Sequence, residues 1–186
     1  GVKFGKPEVD VDGLRGWKES VVKKLTGGLS GLAKGRKVTV VSGIGTFTGP
    51  NAIRVEGPDG AKTVTFDQCI IAAGSEPARI PGLPDDPRVV DSTGALDLAG
   101  IPKTFLVIGG GIIGLEMACV YDALGSEVTV VELLDQLMPG ADTDLVGPLH
   151  QRLSKRYAGI HLKVKVAKIE AGKKGLTATF EGEKAP

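Results

Sequence analysis

The 186-residue sequence has few aromatic residues, few cysteines, no excess of one sign of charge and no long apolar run. Its 23 Lys and Arg residues are balanced by 22 Asp and Glu residues, which gives no electrostatic case for binding nucleic acid or an anionic membrane. No apolar stretch approaches the roughly 20 residues that a membrane-spanning helix needs. Aromatic residues make up 4% of the chain, so the core must rest on Val, Ile, Leu and Ala.

The two cysteines, Cys69 and Cys119, form no CxxC or similarly close motif. This spacing argues against a disulfide scaffold or a zinc site and suits a reducing, cytoplasmic environment. Because both cysteines lie in apolar runs, we expect each to be a small buried hydrophobic side chain and not a catalytic thiol. His150 and His161 are interpreted as surface or packing residues. The N-terminal residues 1–5 resemble no targeting signal, and the missing initial Met suggests an excised segment.

The first half of the chain has the pattern of a helix followed by antiparallel strands. Apolar residues recur at helical spacing over residues 18–34, although three glycines weaken this pattern. Alternating and β-branched residues predict strands at 37–47, 52–56 and 62–66, and a short buried strand at 69–72. Four prolines between residues 77 and 87 indicate a linker.

The second half alternates between strands and helices. The predicted strands are 104–108, 127–132, 160–166 and 176–180, and the predicted helices are 112–124 and 142–157. This order is typical of a parallel sheet with helices on both faces. The sequence therefore predicts an α/β fold that follows a mostly β segment.

The strongest motif is formed by Gly109, Gly111 and Gly114, which fit the pattern GxGxxG. The pattern alone is weak, because 28 glycines make chance matches common. Its context is stronger, since an apolar strand precedes it and an amphipathic helix follows it. In a dinucleotide-binding loop the first glycine permits the tight turn, the second lets the backbone approach the pyrophosphate, and the third lets the helix pack against the strand.

The next strand ends at Glu132, about 20 residues after the motif, where the dinucleotide fingerprint requires an acidic residue. We expect its carboxylate to bind the adenosine ribose hydroxyls and to repel a 2′-phosphate, which favours NAD(H) over NADP(H). The ADP half of FAD fits the same fingerprint, so the motif alone leaves both cofactors open. A plain strand–helix turn and a solvated strand end also stay open as alternatives.

The segment GGGIIGLEMACVYDALGSEVTVVE, with IIAAGSEP upstream of it, resembles the pyridine nucleotide–disulfide oxidoreductase family. Within that family, LTGGL, VDSTGAL and LMPGADTDLV are most similar to the dihydrolipoamide dehydrogenases. The resemblance covers essentially the whole chain. It implies a Rossmann-like NAD-binding domain over residues 99–186, lacking its last strand, preceded over residues 1–98 by an antiparallel β segment of a discontinuous FAD-binding domain.

The resemblance also implies cofactor contacts. The residues that would contact NAD are Gly109, Gly110, Gly111, Ile112, Ile113, Gly114, Leu115, Glu116, Glu132 and Val166. The residues that would contact FAD are Gly45, Ala73, Gly74 and Ser75. Ala73 would act through its backbone, because it replaces the commoner Thr, and Glu116 matches a carboxylate near the flavin. Without the resemblance, residues 73–75 are a strand-ending turn, Gly45 is a bulge or turn glycine, and Glu116 is a first-turn carboxylate favoured by the helix dipole.

By resemblance, the whole enzyme oxidises protein-bound dihydrolipoamide and passes electrons through a disulfide and FAD to NAD+. It is a homodimer that serves the lipoyl domain of an oxoacid dehydrogenase complex. The redox cysteine pair, the N-terminal FAD motif and the catalytic His of the family are not in these 186 residues. We therefore expect an internal fragment with no catalytic residue of its own and no retained FAD. Two alternatives stay open: an NAD-binding module without catalysis, and a related enzyme such as a soluble transhydrogenase or mercuric reductase.

Overall fold

The computed structural model describes all residues of the chain except Phe4, Lys6, Arg79, Glu183 and Lys184. The helices are α1 (Val11–Gly35), α2 (Ser92–Leu96), α3 (Ile112–Leu124) and α4 (Thr143–Ser154). The strands are β1 (Ile44–Gly49), β2 (Ala52–Gly57), β3 (Gly60–Thr65), β4 (Thr104–Ile108), β5 (Glu127–Glu132), β6 (Gly159–Leu162), β7 (Lys165–Ala171) and β8 (Leu176–Glu181). The chain separates into one unit of Asp12–Glu76 and another of Gly1–Val11 with Pro77–Pro186. The domain boundary at residue 98 stays a prediction.

In the unit Asp12–Glu76, the three strands form an antiparallel sheet in the order β1-β2-β3, which confirms the predicted meander. The predicted strand at 37–47 is wrong in its first half, since β1 begins only at Ile44. The amides of Lys37 and Val38 instead donate to the carbonyls of Lys34 and Ala33. These bonds end α1, so this stretch is used in a helix-terminating turn.

The predicted buried strand at 69–72 is also wrong. These residues belong to no strand, and Ile70 is 93% exposed. A strand needs a neighbour for its amides and carbonyls, and none of the described strands pairs with this segment. An apolar, β-branched pattern alone therefore gave the wrong structure here.

In the other unit, β4, β5 and β6 form a parallel sheet in that order, as predicted. The two long helices α3 and α4 connect successive strands, and right-handed connections that advance in one direction place both on one face. Contacts between α3 and the turn that follows α4 agree: Arg156 forms an ion pair with Asp122, and the Cys119 thiol lies 3.3 Å from the Tyr157 hydroxyl. The expectation of helices on both faces is therefore wrong for α3 and α4.

The predicted strand at 160–166 is divided into β6 and β7 at Lys163, whose φ is +58°. The amides of Lys163 and Val164 donate to the carbonyls of Leu134 and Glu132. After this turn, β7 pairs with β8 in a separate antiparallel sheet. The parallel sheet therefore includes the first half of the predicted strand at 160–166, as β6, but neither β7 nor the predicted strand at 176–180.

The core of this unit lies between the parallel sheet and its helices, and it is mainly aliphatic. Val128, Val130 and Val131 of β5 are almost fully buried, and each such side chain contributes roughly 1.5–3 kcal/mol relative to exposure. Tyr121 of α3 stacks on Phe105 with ring centroids 4.2 Å apart. None of the helices among the described residues is long and apolar enough to cross a membrane.

Candidate nucleotide-binding site

The glycine loop starts where β4 ends. Gly109 has a φ of +105°, a conformation that side-chain-bearing residues rarely adopt, and its amide donates to the Val131 carbonyl at 2.8 Å. A Cβ on Gly114 would lie 2.1 Å from the Gly109 carbonyl oxygen. The first and third motif glycines are thus required by the fold of the loop itself.

Gly111 has different surroundings. It caps α3 with an extended backbone, φ −77°, and a Cβ added there would meet no atom within 4 Å. The first amides of a helix have no partner within the helix, and together with the helix dipole they favour an anion. The open space beside Gly111 at the start of α3 is therefore suited to a phosphate group. No protein atom near this position requires the residue to be glycine.

Glu132 lies at the end of β5 and is 7% exposed. Its Oε2 accepts a hydrogen bond from the Gly110 amide at 2.6 Å, and its Oε1 accepts one from the Leu134 amide at 2.8 Å. The structure thus brings the strand-end carboxylate onto the glycine loop, two elements that are distant in sequence.

The remaining residues of the predicted NAD site lie in α3. Leu115 is buried, whereas Ile112 and Ile113 are exposed at the start of the helix. Glu116 is exposed in the second turn, so the interpretation as a first-turn carboxylate is wrong, and no acidic residue lies in the first turn. It lines an apolar groove of about 370 Å³, to which α4 also contributes through Leu149.

Val166 lies in β7, outside the parallel sheet, opposite Phe180 and next to a bulge. The amide of Val164, two residues earlier, donates to the Glu132 carbonyl at 3.0 Å. This bond places the start of the β7 segment beside the end of β5, and a contact of Val166 with NAD stays a prediction.

The FAD candidates lie in the unit Asp12–Glu76. Gly45 is an ordinary residue of β1 opposite Val55, so its interpretation as a bulge or turn glycine is wrong. Ala73, Gly74 and Ser75 are exposed and follow no strand, so a strand-ending turn is not found either. The φ of Gly74 is +77°, a value that favours glycine.

Both cysteines are exposed, so the expectation that they are buried is wrong. Cys69 lies in the unpaired apolar segment at 69–72, and Cys119 lies in the groove beside α3. Burial, and then the hydrogen bond with Cys119, raises the pKa of the Tyr157 hydroxyl, which therefore stays protonated. His150 and His161 are half-buried, as expected of packing residues.

Two further residues contact the glycine loop without having been predicted from the sequence. The Met138 amide donates to the Gly110 carbonyl at 2.8 Å, and the fully buried Leu137 packs against Gly110. Their only signal was an apolar pair that follows Asp135 and Gln136 in the loop after β5. Together, the strand, glycine loop, helix start and strand-end carboxylate form the arrangement that is typical of a dinucleotide-binding βαβ unit.

The model of the pyridine nucleotide-disulphide oxidoreductase family matches residues 3–185 of the chain. The chain therefore belongs to this family. It is 51% identical over its whole length to a dihydrolipoyl dehydrogenase from Vibrio cholerae serotype O1, of which it covers 39%. It is 50% identical over 98% of its length to a dihydrolipoyl dehydrogenase from Haemophilus influenzae, of which it covers 38%. The chain thus spans about two fifths of the length of these curated relatives.

The structure is also similar to structures that have been solved for other proteins. The HOCl-induced flavoprotein disulfide reductase RclA from Escherichia coli matches 92% of this chain with a TM-score of 0.79 and 27% identity, over 39% of its own chain. LpdA from Mycobacterium tuberculosis matches 95% of this chain with a TM-score of 0.80, over 40% of its own chain. Because the sequence identity of this second match is only 21%, the match shows a similarity of fold and nothing more.

Proposed function

We propose that the chain binds NAD(H) through Gly109–Glu116 of the glycine loop and α3, with Glu132 on the adenosine ribose and the backbone of Val166 near the adenine. The observation that carries this proposal is the open space beside Gly111 at the start of α3, adjacent to a carboxylate held by two hydrogen bonds. In this arrangement the backbone binds the diphosphate, and Glu132 disfavours a 2′-phosphate.

We also propose that this chain is part of a dihydrolipoamide dehydrogenase, which would oxidise protein-bound dihydrolipoamide and pass electrons through a disulfide and FAD to NAD+. The cofactors would supply the redox chemistry, and this chain would supply binding and orientation. The support is the whole-length similarity to dihydrolipoyl dehydrogenases. FAD would contact Gly45, Ala73, Gly74 and Ser75, and Glu116 would lie near the flavin. The proposed partners are a second subunit and a lipoyl domain, in the cytoplasm.

For the 186 residues taken alone, the proposed activity is nucleotide binding without turnover. The two cysteines lie at positions 69 and 119 and form no closely spaced redox pair. Dihydrolipoamide oxidation through a disulfide would need such a pair, which this sequence does not contain.

A chimera tests the redox proposal. Residues 1–186, all of which match the Vibrio cholerae relative, would replace the corresponding 39% of that protein. We expect the chimera to bind FAD and to reduce NAD+ with dihydrolipoamide, and the same chimera with Gly111→Ala to keep FAD but lose NAD+ reduction. A folded, FAD-containing chimera that does not reduce NAD+ would contradict the proposal.

A further inference from the structure

Gly110 is the loop residue that the GxGxxG pattern leaves undefined, yet it is held on three sides. Its amide donates to Glu132 Oε2 at 2.6 Å, and its carbonyl accepts a bond from the Met138 amide at 2.8 Å. A Cβ on Gly110 would lie 2.6 Å from Leu137 Cδ2, and Leu137 is fully buried. The segment after β5 therefore surrounds the middle of the glycine loop.

The Glu132 carboxylate is the centre of this arrangement. One oxygen binds the loop through Gly110, and the other binds the Leu134 amide at 2.8 Å. Charge-assisted hydrogen bonds to a buried carboxylate are roughly twice as strong as neutral ones. A carboxylate has about four acceptor sites, so two remain for other donors while these bonds persist.

We propose that Glu132, Leu137 and Met138 form a clamp on Gly110, and that Glu132 is a positioning residue for the diphosphate-binding loop as well as a ribose acceptor. This inference rests on the proposed NAD(H) site. The clamp fixes the peptide immediately before Gly111, so the amides that would bind the diphosphate are oriented before the nucleotide arrives. Preorganised donors bind an anion more strongly than donors that must first be ordered.

The proposal predicts that Glu132 affects the affinity even for nucleotides that have no ribose hydroxyl for it to bind. A nucleotide without ribose hydroxyls gains nothing from Glu132 as an acceptor, but it still needs the glycine loop for its diphosphate. Loss of the clamp should therefore weaken such a ligand, whereas loss of a ribose acceptor alone should leave its affinity unchanged.

The experiment is a calorimetric titration of the whole chain with ADP and with 2′,3′-dideoxyadenosine 5′-diphosphate. Three proteins are compared: wild type, Glu132→Gln, and the control Glu127→Gln, whose side chain is exposed at the start of the same strand. Gln is similar in size but has one acceptor oxygen, so it must lose either the bond from Gly110 or the bond from Leu134 that holds the side chain against Gly110. We expect Glu132→Gln to bind the dideoxy nucleotide about tenfold more weakly than wild type, and Glu127→Gln to match wild type.

Each result decides a different point. Equal affinity of wild type and Glu132→Gln for the dideoxy nucleotide would overturn the clamp while leaving the NAD(H) site intact. A wild-type chain that binds neither nucleotide nor NADH would refute the proposed function and, with it, this inference. Thermal unfolding of each variant shows whether it is folded at the titration temperature.

If Glu132→Gln does not fold, hydrogen exchange of the wild-type chain decides the question. We expect the Gly110 amide to exchange at least about 100-fold more slowly than in an unstructured peptide, as a stably bonded amide does. Exchange of Gly110 at the unstructured rate would overturn the clamp without any variant.

Discussion

Gly111 and Gly114 belong to the same motif, but the structure requires glycine at these positions for different reasons. At Gly114 the Gly109 carbonyl oxygen fills the space of a side chain, whereas at Gly111 that space is open. Substituting each of these glycines with Ala, which adds one methyl group, can therefore separate the folding role of the motif from its proposed binding role.

The Gly111→Ala variant should separate binding from stability. The added methyl meets no protein atom, and φ is −77°, so we expect the free energy of unfolding to change by less than about 1 kcal/mol. The methyl would fill the space proposed for the diphosphate, so NADH affinity should fall by at least about tenfold. Thermal unfolding and calorimetry measure the two effects. Unchanged NADH affinity would contradict the assignment of the diphosphate to this loop.

The Gly114→Ala variant should lose both properties. Its methyl would lie 2.1 Å from the Gly109 carbonyl oxygen, so the turn must move. We expect a loss of about 2 kcal/mol or more in the free energy of unfolding, together with loss of NADH binding. Urea unfolding beside Gly111→Ala gives the comparison, and a stability equal to that of Gly111→Ala would be inconsistent with the structure.

The loop glycines and Glu132 could be predicted from the sequence because residue type and spacing are set by the local strand–turn–helix geometry. The partners of Glu132 could not be predicted in the same way. The Gly110 and Leu134 bonds depend on the path of the following loop, where Met138 has a φ of +51°. A positive φ at Met leaves no recognisable sequence signal.

At the scale of elements, the turn at Asp86 and Arg88 joins the segment before α2 to the β7–β8 hairpin. Arg88 donates to both carboxylate oxygens of Asp86, at 2.8 and 2.7 Å, and to the Gly172 carbonyl at 3.0 Å. The hydrogen bonds from the Arg88 side chain and backbone lower the pKa of Asp86 from 3.8 to about 2. The folded state thus favours the ionised carboxylate.

The sign of this shift predicts the acid response of the Asp86→Asn variant. A lowered folded-state pKa contributes stability above the unfolded value of 3.8, and this contribution is lost as the pH falls toward 2. Wild type should therefore lose more unfolding free energy between pH 5 and pH 2 than Asp86→Asn, as urea unfolding would show. The exposed neighbour Asp85→Asn is the control. Parallel pH profiles of wild type and Asp86→Asn would contradict the role of this turn.

Tyr121 joins α3 to α2, because its buried hydroxyl donates to the Ala95 carbonyl at 2.8 Å. Burial, with a smaller effect of Asp97, raises the pKa of Tyr121, so the hydroxyl stays a donor. We expect Tyr121→Phe to lower the free energy of unfolding by about 1–2 kcal/mol. The control is Tyr157→Phe, since the Tyr157 hydroxyl has the weaker partner Cys119 Sγ. Equal losses in the two variants would rule out the Ala95 bond as the cause.

The elements that were predicted correctly have strong local sequence patterns. The errors occur where strand formation depends on pairing with a segment that is distant in sequence. Strands β4 and β5 were predicted with their observed bounds, because each contains an apolar run and follows a turn signal, Pro102 before β4 and Gly125 before β5. The segment at 69–72 is also an apolar run, but it has no pairing strand among the described residues. Lys163 ends a strand through its backbone conformation, which the apolar pattern of 160–166 does not reveal.

At the scale of the whole molecule, the family match extends over residues 3–185 and so includes both units of the structure. The contacts proposed for NAD(H) all lie in the unit that contains Pro77–Pro186, and those proposed for FAD all lie in Asp12–Glu76. The proposed binding of NAD(H) therefore depends on one unit, whose buried core is mainly aliphatic.

The most direct test of this account is a calorimetric titration of the 186-residue chain with NADH and, separately, with NADPH. Because Glu132 presents a carboxylate where the adenosine ribose is proposed to lie, we expect NADH to bind and NADPH to bind at least about tenfold more weakly. Equal or tighter binding of NADPH would contradict the role of Glu132, and binding of neither nucleotide would contradict the proposed function of the glycine loop.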